Sequence, residues 1–258
     1  MIHSIKKREP YSALAEIYDS VMEDVDYETW ADYIDEIIME HHPQAKDLLE
    51  LACGTGTMAL SLEELGYYNI TATDGASAMV NSARLKGDKA ESDVDFQVVD
   101  FLDIRLRKKF DVVFMVFDSI NYLHKGEDIE QLFSQVSGVL KKNGIFIFDF
   151  TTPRNSRQAI KVLNNNSRRV DAFTRFHRES TYNAKERIHT NIFHIEKTSA
   201  GGSGKKEMLE ETHQQKIYTF EEIREITEKS EFSLLEAYDG FELKPAHDKS
   251  LRITMVLQ

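Results

Sequence analysis

The stretch Asp47–Leu60, DLLELACGTGTMAL, decides how this chain folds. It begins as an apolar run, breaks at Gly54 and Gly56 with one residue between them, and continues with helix-forming residues. A strand that ends in a glycine turn and feeds a helix is the nucleotide-cradling unit of doubly wound α/β folds. Gly54-Thr55-Gly56-Thr57-Met58-Ala59 fits G-x-G-x-x-G/A, and Asp74 stands about 20 residues further on, where a carboxylate can take ribose hydroxyls. On these facts two ligands stay open: a dinucleotide used for hydride transfer, or another adenosyl-bearing cofactor.

Working outward, short apolar strands alternate with helices. After DLLELAC the spacing predicts a helix from Thr57 to Leu65 closed by Gly66, a strand NITATD (69–74) and a helix Ala76–Leu85. Strands follow at 94–100 and 110–118. A helix is expected over 128–144, with lysines near its end and an Asn-Gly stop, before a fifth strand at 145–150. Val, Ile and Phe runs with little alternation belong to strands covered on both faces, as in parallel sheets. Upstream, Leu14, Ile17, Tyr18 and Val21, then Trp30, Tyr33, Ile34, Ile37 and Ile38, keep helical spacing and predict two amphipathic helices ended by Pro43. From Pro153 to Tyr218 the texture changes to antiparallel strands around AFTRFHRESTY, RIHTNIFHIEK and MLEETHQQKIY, separated by Asn183-Ala184-Lys185 and the flexible SAGGSGKK. A helix TFEEIREITEKS and two strands near SLLEAYD and LRITMVLQ complete the pattern.

The expected architecture is therefore α/β: a doubly wound, seven-stranded, mostly parallel Rossmann-like sheet. It carries an N-terminal helical cap (1–45), a nucleotide-binding core (46–152 and 219–258) and an antiparallel insertion (153–218) that covers substrate or forms a dimer contact.

Composition narrows the partners. Of 258 residues, 32 are Lys or Arg and 44 Asp or Glu, a net charge of −12 that repels phosphate backbones. The basic patches IKKREP, RLRKK and SRRV are short and read as solvated edges, so nucleic acid is not the expected substrate. The single cysteine, Cys53, rules out an internal disulfide framework and suits a reducing, cytoplasmic setting. No apolar run reaches membrane-spanning length and the opening residues hold no signal-peptide core. The nine histidines show no metal-ligand spacing, and no metal is expected.

Glu50 then bears on the choice of nucleotide. It lies four residues before Gly54, where a carboxylate repels a pyrophosphate and attracts a ligand bearing an ammonium and a sulfonium. No tyrosine is followed four residues later by lysine, so one common hydride-transfer pair is absent. Five segments in order, LLELACGTG, TATDGASAMVNSAR, VVDFLDI, FDVVFMVFDSINYL and LKKNGIFIFDF, resemble the class I S-adenosylmethionine-dependent methyltransferases. The likeness runs from about Tyr11 to the C-terminus. It is nearest to the small-molecule branch, with glycine N-methyltransferase and the aminosugar N-methyltransferases.

The resemblance implies S-adenosyl-L-methionine as cofactor and an in-line methyl transfer to N or O of a small molecule. It implies that Ala52, Gly54 and Gly56 admit the methionine end, with Glu50 near its cationic groups. Asp74 would take the ribose diol, although Gly75-Ala76-Ser77 departs from the family's usual serine placement. Met79, Asp100 and Phe101 would meet the adenine, and Phe117 and Asp118 the methionine ammonium. Tyr18 and Trp30 would cover the cofactor, and Tyr18, Tyr122 and His124 are the catalytic candidates. Arg154, Arg157, Arg175 and Arg178 are open to an acidic acceptor or to solvent. Two other readings stay open: an NAD-dependent oxidoreductase, and an S-adenosylmethionine-binding protein without catalysis. A monomer and a homodimer are both compatible with the sequence.

Overall fold

The computed structural model describes residues 5–199 and 206–258. The flexible-connection reading of SAGGSGKK falls mostly on 200–205 and lies outside the described residues. Along the chain come β1 (Lys6–Arg8), a 3-10 turn (Leu14–Glu16), α1 (Tyr18–Val21), α2 (Tyr27–His41), β2 (Asp47–Leu51), α3 (Thr57–Glu63) and β3 (Asn69–Asp74). Next are α4 (Ser77–Ala90), β4 (Asp95–Val98), β5 (Phe110–Met115), a 3-10 turn (Ser119–Tyr122), α5 (Gly126–Val139), β6 (Leu140–Thr151) and α6 (Pro153–Leu163). The chain ends with β7 (Asn166–Arg169), β8 (Thr174–Asn183), β9 (Ile188–Thr198), β10 (Lys206–Lys216), α7 (Phe220–Glu228), β11 (Leu234–Asp239) and β12 (Arg252–Leu257).

The main sheet has the order β11-β12-β6-β5-β2-β3-β4. The five strands from β6 to β4 are parallel, and β12 and β11 join antiparallel. Successive residues of each strand feed opposite cores, because side chains alternate across a pleated sheet. Leu48, Val112, Ile145 and Ile147 pack with Trp30, Ile34, Ile37 and Ile38 of α2 on one face. Leu49, Val113, Phe146 and Phe148 pack with Ile129, Phe133 and Val136 of α5 on the other. Helix α2 starts where the Asp26 carboxylate accepts the Thr29 N–H, and α7 starts with a Thr219–Glu222 capping box. The seven-stranded, mostly parallel sheet is as expected, and among the described residues no helix is long and apolar enough to cross a membrane.

Three elements differ from the sequence expectation. The helix expected over 128–144 stops at Val139, and Lys141–Gly144 enter β6 with a register shift against β5. The reason is tertiary: Lys141 Nζ reaches Asp47 Oδ2 at 2.6 Å and Asp111 Oδ2 at 3.0 Å across the sheet. The insertion opens with a helix, α6, rather than a strand, with Thr152 at its N-cap and Pro153 in its first turn. The first N-terminal helix shrinks to a 3-10 turn plus one turn of α1, because its apolar residues are used elsewhere. Leu14 and Ile17 pack on Phe176, Phe193, Ile195 and Leu209 of a second sheet, order β1-β10-β9-β8-β7. Its edge strand β1, drawn from IKKREP, pairs in parallel with Leu209–Glu211.

Candidate active site

The parallel strands end on one side of the sheet, and the chain leaves β2 there through strained backbone. Ala52 has φ +56°, Gly54 +55° and Gly56 +78°, values open to glycine and costly for other residues. At Gly56 a Cβ would lie 2.5 Å from the Phe96 ring and 2.9 Å from Ala83 Cβ. Gly56 thus serves helix-on-strand packing. At Gly54 the nearest neighbour of a Cβ would be Tyr18 Cε1 at 3.6 Å, so the tyrosine ring stands over the turn. Asp74, ending β3, braces the loop: its Oδ2 accepts from Gly54 N at 2.9 Å and its Oδ1 from Ala76 N at 2.8 Å. Burial raises the Asp74 pKa above the ordinary carboxylate value, against the lowering effect of those two N–H groups.

Above this turn opens a cavity of about 560 Å³. It gathers Tyr18, Ala52, Gly54, Asp74, Gly75, Met79, Phe101, Phe117 and Tyr122 from the expected set. Its volume lies in the range of cofactor and small-molecule sites, roughly 300–1,000 Å³. Glu50 does not line it. The Glu50 side chain is 2 % exposed, and its Oε2 has no hydrogen-bond partner among the described residues. Burial first and the Asp74 charge second push its pKa up to about 8, with an Ala59 backbone hydrogen bond opposing. A buried, half-satisfied acid beside a second carboxylate suits a ligand that carries positive charge and a diol. The residues present therefore fit an adenosyl sulfonium cofactor: Asp74 for the ribose, the Gly54 turn for the amino-acid end, Met79 and Phe101 as apolar walls.

A second cavity, about 380 Å³, lies next to the first. The two share Tyr11, Tyr18, Phe117 and Tyr122 and no other lining residue. Tyr11, Phe117 and Asp118 all have positive φ, so unusual backbone collects where the cavities meet. Asp118 and Trp30 line the second cavity only. Arg252 donates to Asp118 Oδ1 at 2.6 Å and to the fully buried Asp149, and Gln215 donates to Asp118 Oδ2 at 2.6 Å. Trp30 packs on Phe117 with ring centres 4.5 Å apart, and the Arg252 guanidinium sits 5.5 Å over the indole. Four expected positions line neither cavity: Glu50 and Gly56, buried beneath the turn, and Asp100 and His124. Asp100 is exposed and accepts the Leu102 N–H in its own turn, and His124 is exposed with Nε2 3.0 Å from the Gln214 carbonyl.

The structure adds residues that the sequence reading passed over. Tyr11 Oη lies 2.5 Å from Tyr122 Oη, which lies 3.2 Å from His213 Nδ1. His213 Nε2 is 3.4 Å from Glu211 Oε2. Glu211, wholly buried, also accepts the backbone N–H groups of Tyr11 and Leu14 at 2.8 and 3.0 Å, and that of Ala13. Burial pushes Glu211 up, but His213 and these N–H groups hold it below the ordinary carboxylate value. Burial raises the phenols of Tyr11, Tyr18 and Tyr122 well above 10, so all three are neutral near pH 7. A signal for Glu211 and His213 was present: with Leu209 they occupy the inward positions of an alternating strand, where apolar residues belong.

A family model described as a methyltransferase domain matches residues 48–144. The solved structure of an S-adenosylmethionine-dependent methyltransferase from Clostridium acetobutylicum ATCC 824 superposes with a TM-score of 0.78 at 26% identity. That superposition covers 96% of this chain and 98% of the other. A protein of Geobacillus sp. (strain WCH70) named as a methyltransferase is 24% identical over 95% of this chain and 98% of its own length. The dTDP-3-amino-3,4,6-trideoxy-alpha-D-glucopyranose N,N-dimethyltransferase of Streptomyces venezuelae is 28% identical over 48% of this chain and 50% of its own. None of these three is an oxidoreductase, and the dinucleotide reading of the Gly54 turn finds no support among them. The methyltransferase match takes in the glycine turn and Asp74 that line the larger cavity, and the chain is an S-adenosylmethionine-dependent methyltransferase.

Proposed function

We propose that the larger cavity holds S-adenosylmethionine and that the smaller one holds a small-molecule acceptor, methylated at N or O where the two meet. The observation that carries this reading is the shared wall of Tyr11, Tyr18, Phe117 and Tyr122 between two otherwise separate cavities. When bound, the cofactor supplies an electrophilic methyl on a sulfonium with its leaving group in place. The chain's part is to align two partners and keep water out, which can supply a large share of such a barrier. Asp74 and the Gly54 turn set the cofactor's position, and Glu50 favours its charge from below. Tyr18 closes over the turn as a wall, and its neutral phenol positions rather than deprotonates.

Tyr122 is the polar group best placed at the junction. Its neutral hydroxyl can accept a hydrogen bond from the acceptor and hand a proton to His213 Nδ1, with Glu211 behind. The insertion, through β8, β9 and β10, supplies one side of the acceptor cavity and acts as its cap. Acceptors bearing a sugar amine are one chemistry supported by the Streptomyces venezuelae relative. The buried Cys53 and the acidic charge accord with a cytoplasmic small-molecule enzyme.

Calorimetry with S-adenosylhomocysteine tests the cofactor half. Wild type binds it, and Asp74→Asn, which keeps the side-chain size, binds roughly 10- to 100-fold more weakly through loss of charged hydrogen bonds to the diol. Equal affinity for both proteins would place the ribose elsewhere.

A further inference from the structure

We propose that the methyl acceptor carries an oxyanion, specifically a carboxylate, and that Arg178 anchors it in the smaller cavity. The inference rests on the reading of that cavity as the acceptor site.

Arg178 lies on β8, opposite Phe193 of β9, and its guanidinium sits 5.8 Å over the Phe193 ring. Its Nε donates to the Leu163 carbonyl at 3.2 Å, and among the described residues no carboxylate pairs with it. Three other arginines of the insertion are neutralised: Arg168 by Glu23 and Asp24, Arg175 by Glu196, and Arg187 by Glu222. Arg252, the other arginine of this cavity, is held between Asp118 and Asp149. A partly buried guanidinium without a counter-ion is costly, and burial together with the nearby Arg168 lowers its pKa.

Unpartnered polar groups point to the same place. Ser156 Oγ and Asn191 Oδ1 have no hydrogen-bond partner among the described residues, and both side chains line this cavity. Ser156 is only 1 % exposed. Native proteins rarely leave buried polar atoms unpaired, so such a cluster around one lone cation marks a ligand that completes them. A single planar fork matches one carboxylate in two parallel hydrogen bonds. Arg252 is held by two carboxylates and has no charge to spare, so Arg178 alone faces a bound anion, and one guanidinium matches a monoanion and leaves a dianionic phosphate short.

The test uses the full chain with arginine side chains labelled for NMR, with and without saturating S-adenosylhomocysteine. Sodium acetate and inorganic phosphate are the probes. Acetate is expected to shift the Arg178 Nε resonance saturably in both states. Arg178→Gln should bind acetate about tenfold or more weakly, Arg178→Lys should retain part of the affinity, and Arg175→Gln should match wild type. Thermal unfolding of each variant reports whether it has folded. Unchanged acetate affinity in folded Arg178→Gln, or no saturable shift with either anion, overturns the proposal. Saturation by phosphate at lower concentration than acetate overturns the carboxylate assignment. Failure of S-adenosylhomocysteine to bind wild type would instead overturn the cofactor-site reading, and the anion titration of the free chain would still be read.

Discussion

Replacing Glu50 by glutamine keeps the shape of a residue buried beside the glycine turn and removes its proton equilibrium. Burial and Asp74 place that equilibrium at about 8 in the folded chain, against an ordinary value of 4.5. Because the folded value is the higher one, the favourable contribution of the protonated form is complete below about pH 4.5 and is lost as pH rises through 8. At 1.36 kcal/mol per unit the whole span is worth ~5 kcal/mol. About 1 kcal/mol of it disappears between pH 7 and pH 9, where the folded carboxyl finishes ionising. Glu50→Gln does not titrate there, so its stability should fall by ~1 kcal/mol less over the same interval. Urea unfolding of both proteins at pH 7 and pH 9 measures this, since every other group cancels in the comparison. A cationic ligand above Glu50 favours the ionised form, so wild type should release close to one proton on binding S-adenosylmethionine at pH 7. Calorimetry in two buffers of different ionisation enthalpy reads that release, which Glu50→Gln should lack. Identical pH dependence of stability in the two proteins would refute the argument, because it would mean that Glu50 ionises in the folded chain as it does in the unfolded one.

The two glycines of the region should part company. Gly56→Ala combines φ +78° with a 2.5 Å clash against Phe96 and should cost ~2 kcal/mol or more, whereas Gly75→Ala meets nothing within 4 Å and should stay within ~0.5 kcal/mol by thermal unfolding. Arg252→Met strands the fully buried Asp149 and frees Asp118, and should lower stability by ~3–5 kcal/mol in urea, while a loss below ~1 kcal/mol would show that Asp149 finds another partner.

The nucleotide-binding half was legible because its signals are local. A strand shows as an unbroken apolar run, the Gly54–Gly56 turn as residues without side chains, and Asp74 by its distance along one βαβ unit. Where the reading slipped, a distant group had the deciding contact. Lys141 and Lys142 looked like a helix terminus until Asp47 and Asp111 drew Lys141 into β6. Leu14 and Ile17 kept helical spacing, yet the insertion sheet claimed them and left only a short turn of helix. His124 and Asp100 sat at plausible offsets from strand ends, but an offset does not say which way a loop residue turns.

The second cavity was the harder half. Tyr11, Tyr122, Glu211 and His213 come from opposite ends of the chain, and no period or motif links them. By itself the sequence determined the strand–helix alternation, the glycine turn and the carboxylate that ends β3, since each follows from residue type and short spacing, while the class of cofactor rested on the resemblance of five ordered segments to a family. Only the tertiary structure decided that an insertion sheet brings a histidine and a glutamate against the tyrosines of the junction, and an arginine into the same cavity. Such a meeting depends on strand register and on what packs over it, and those are properties of contacts between residues far apart in the chain.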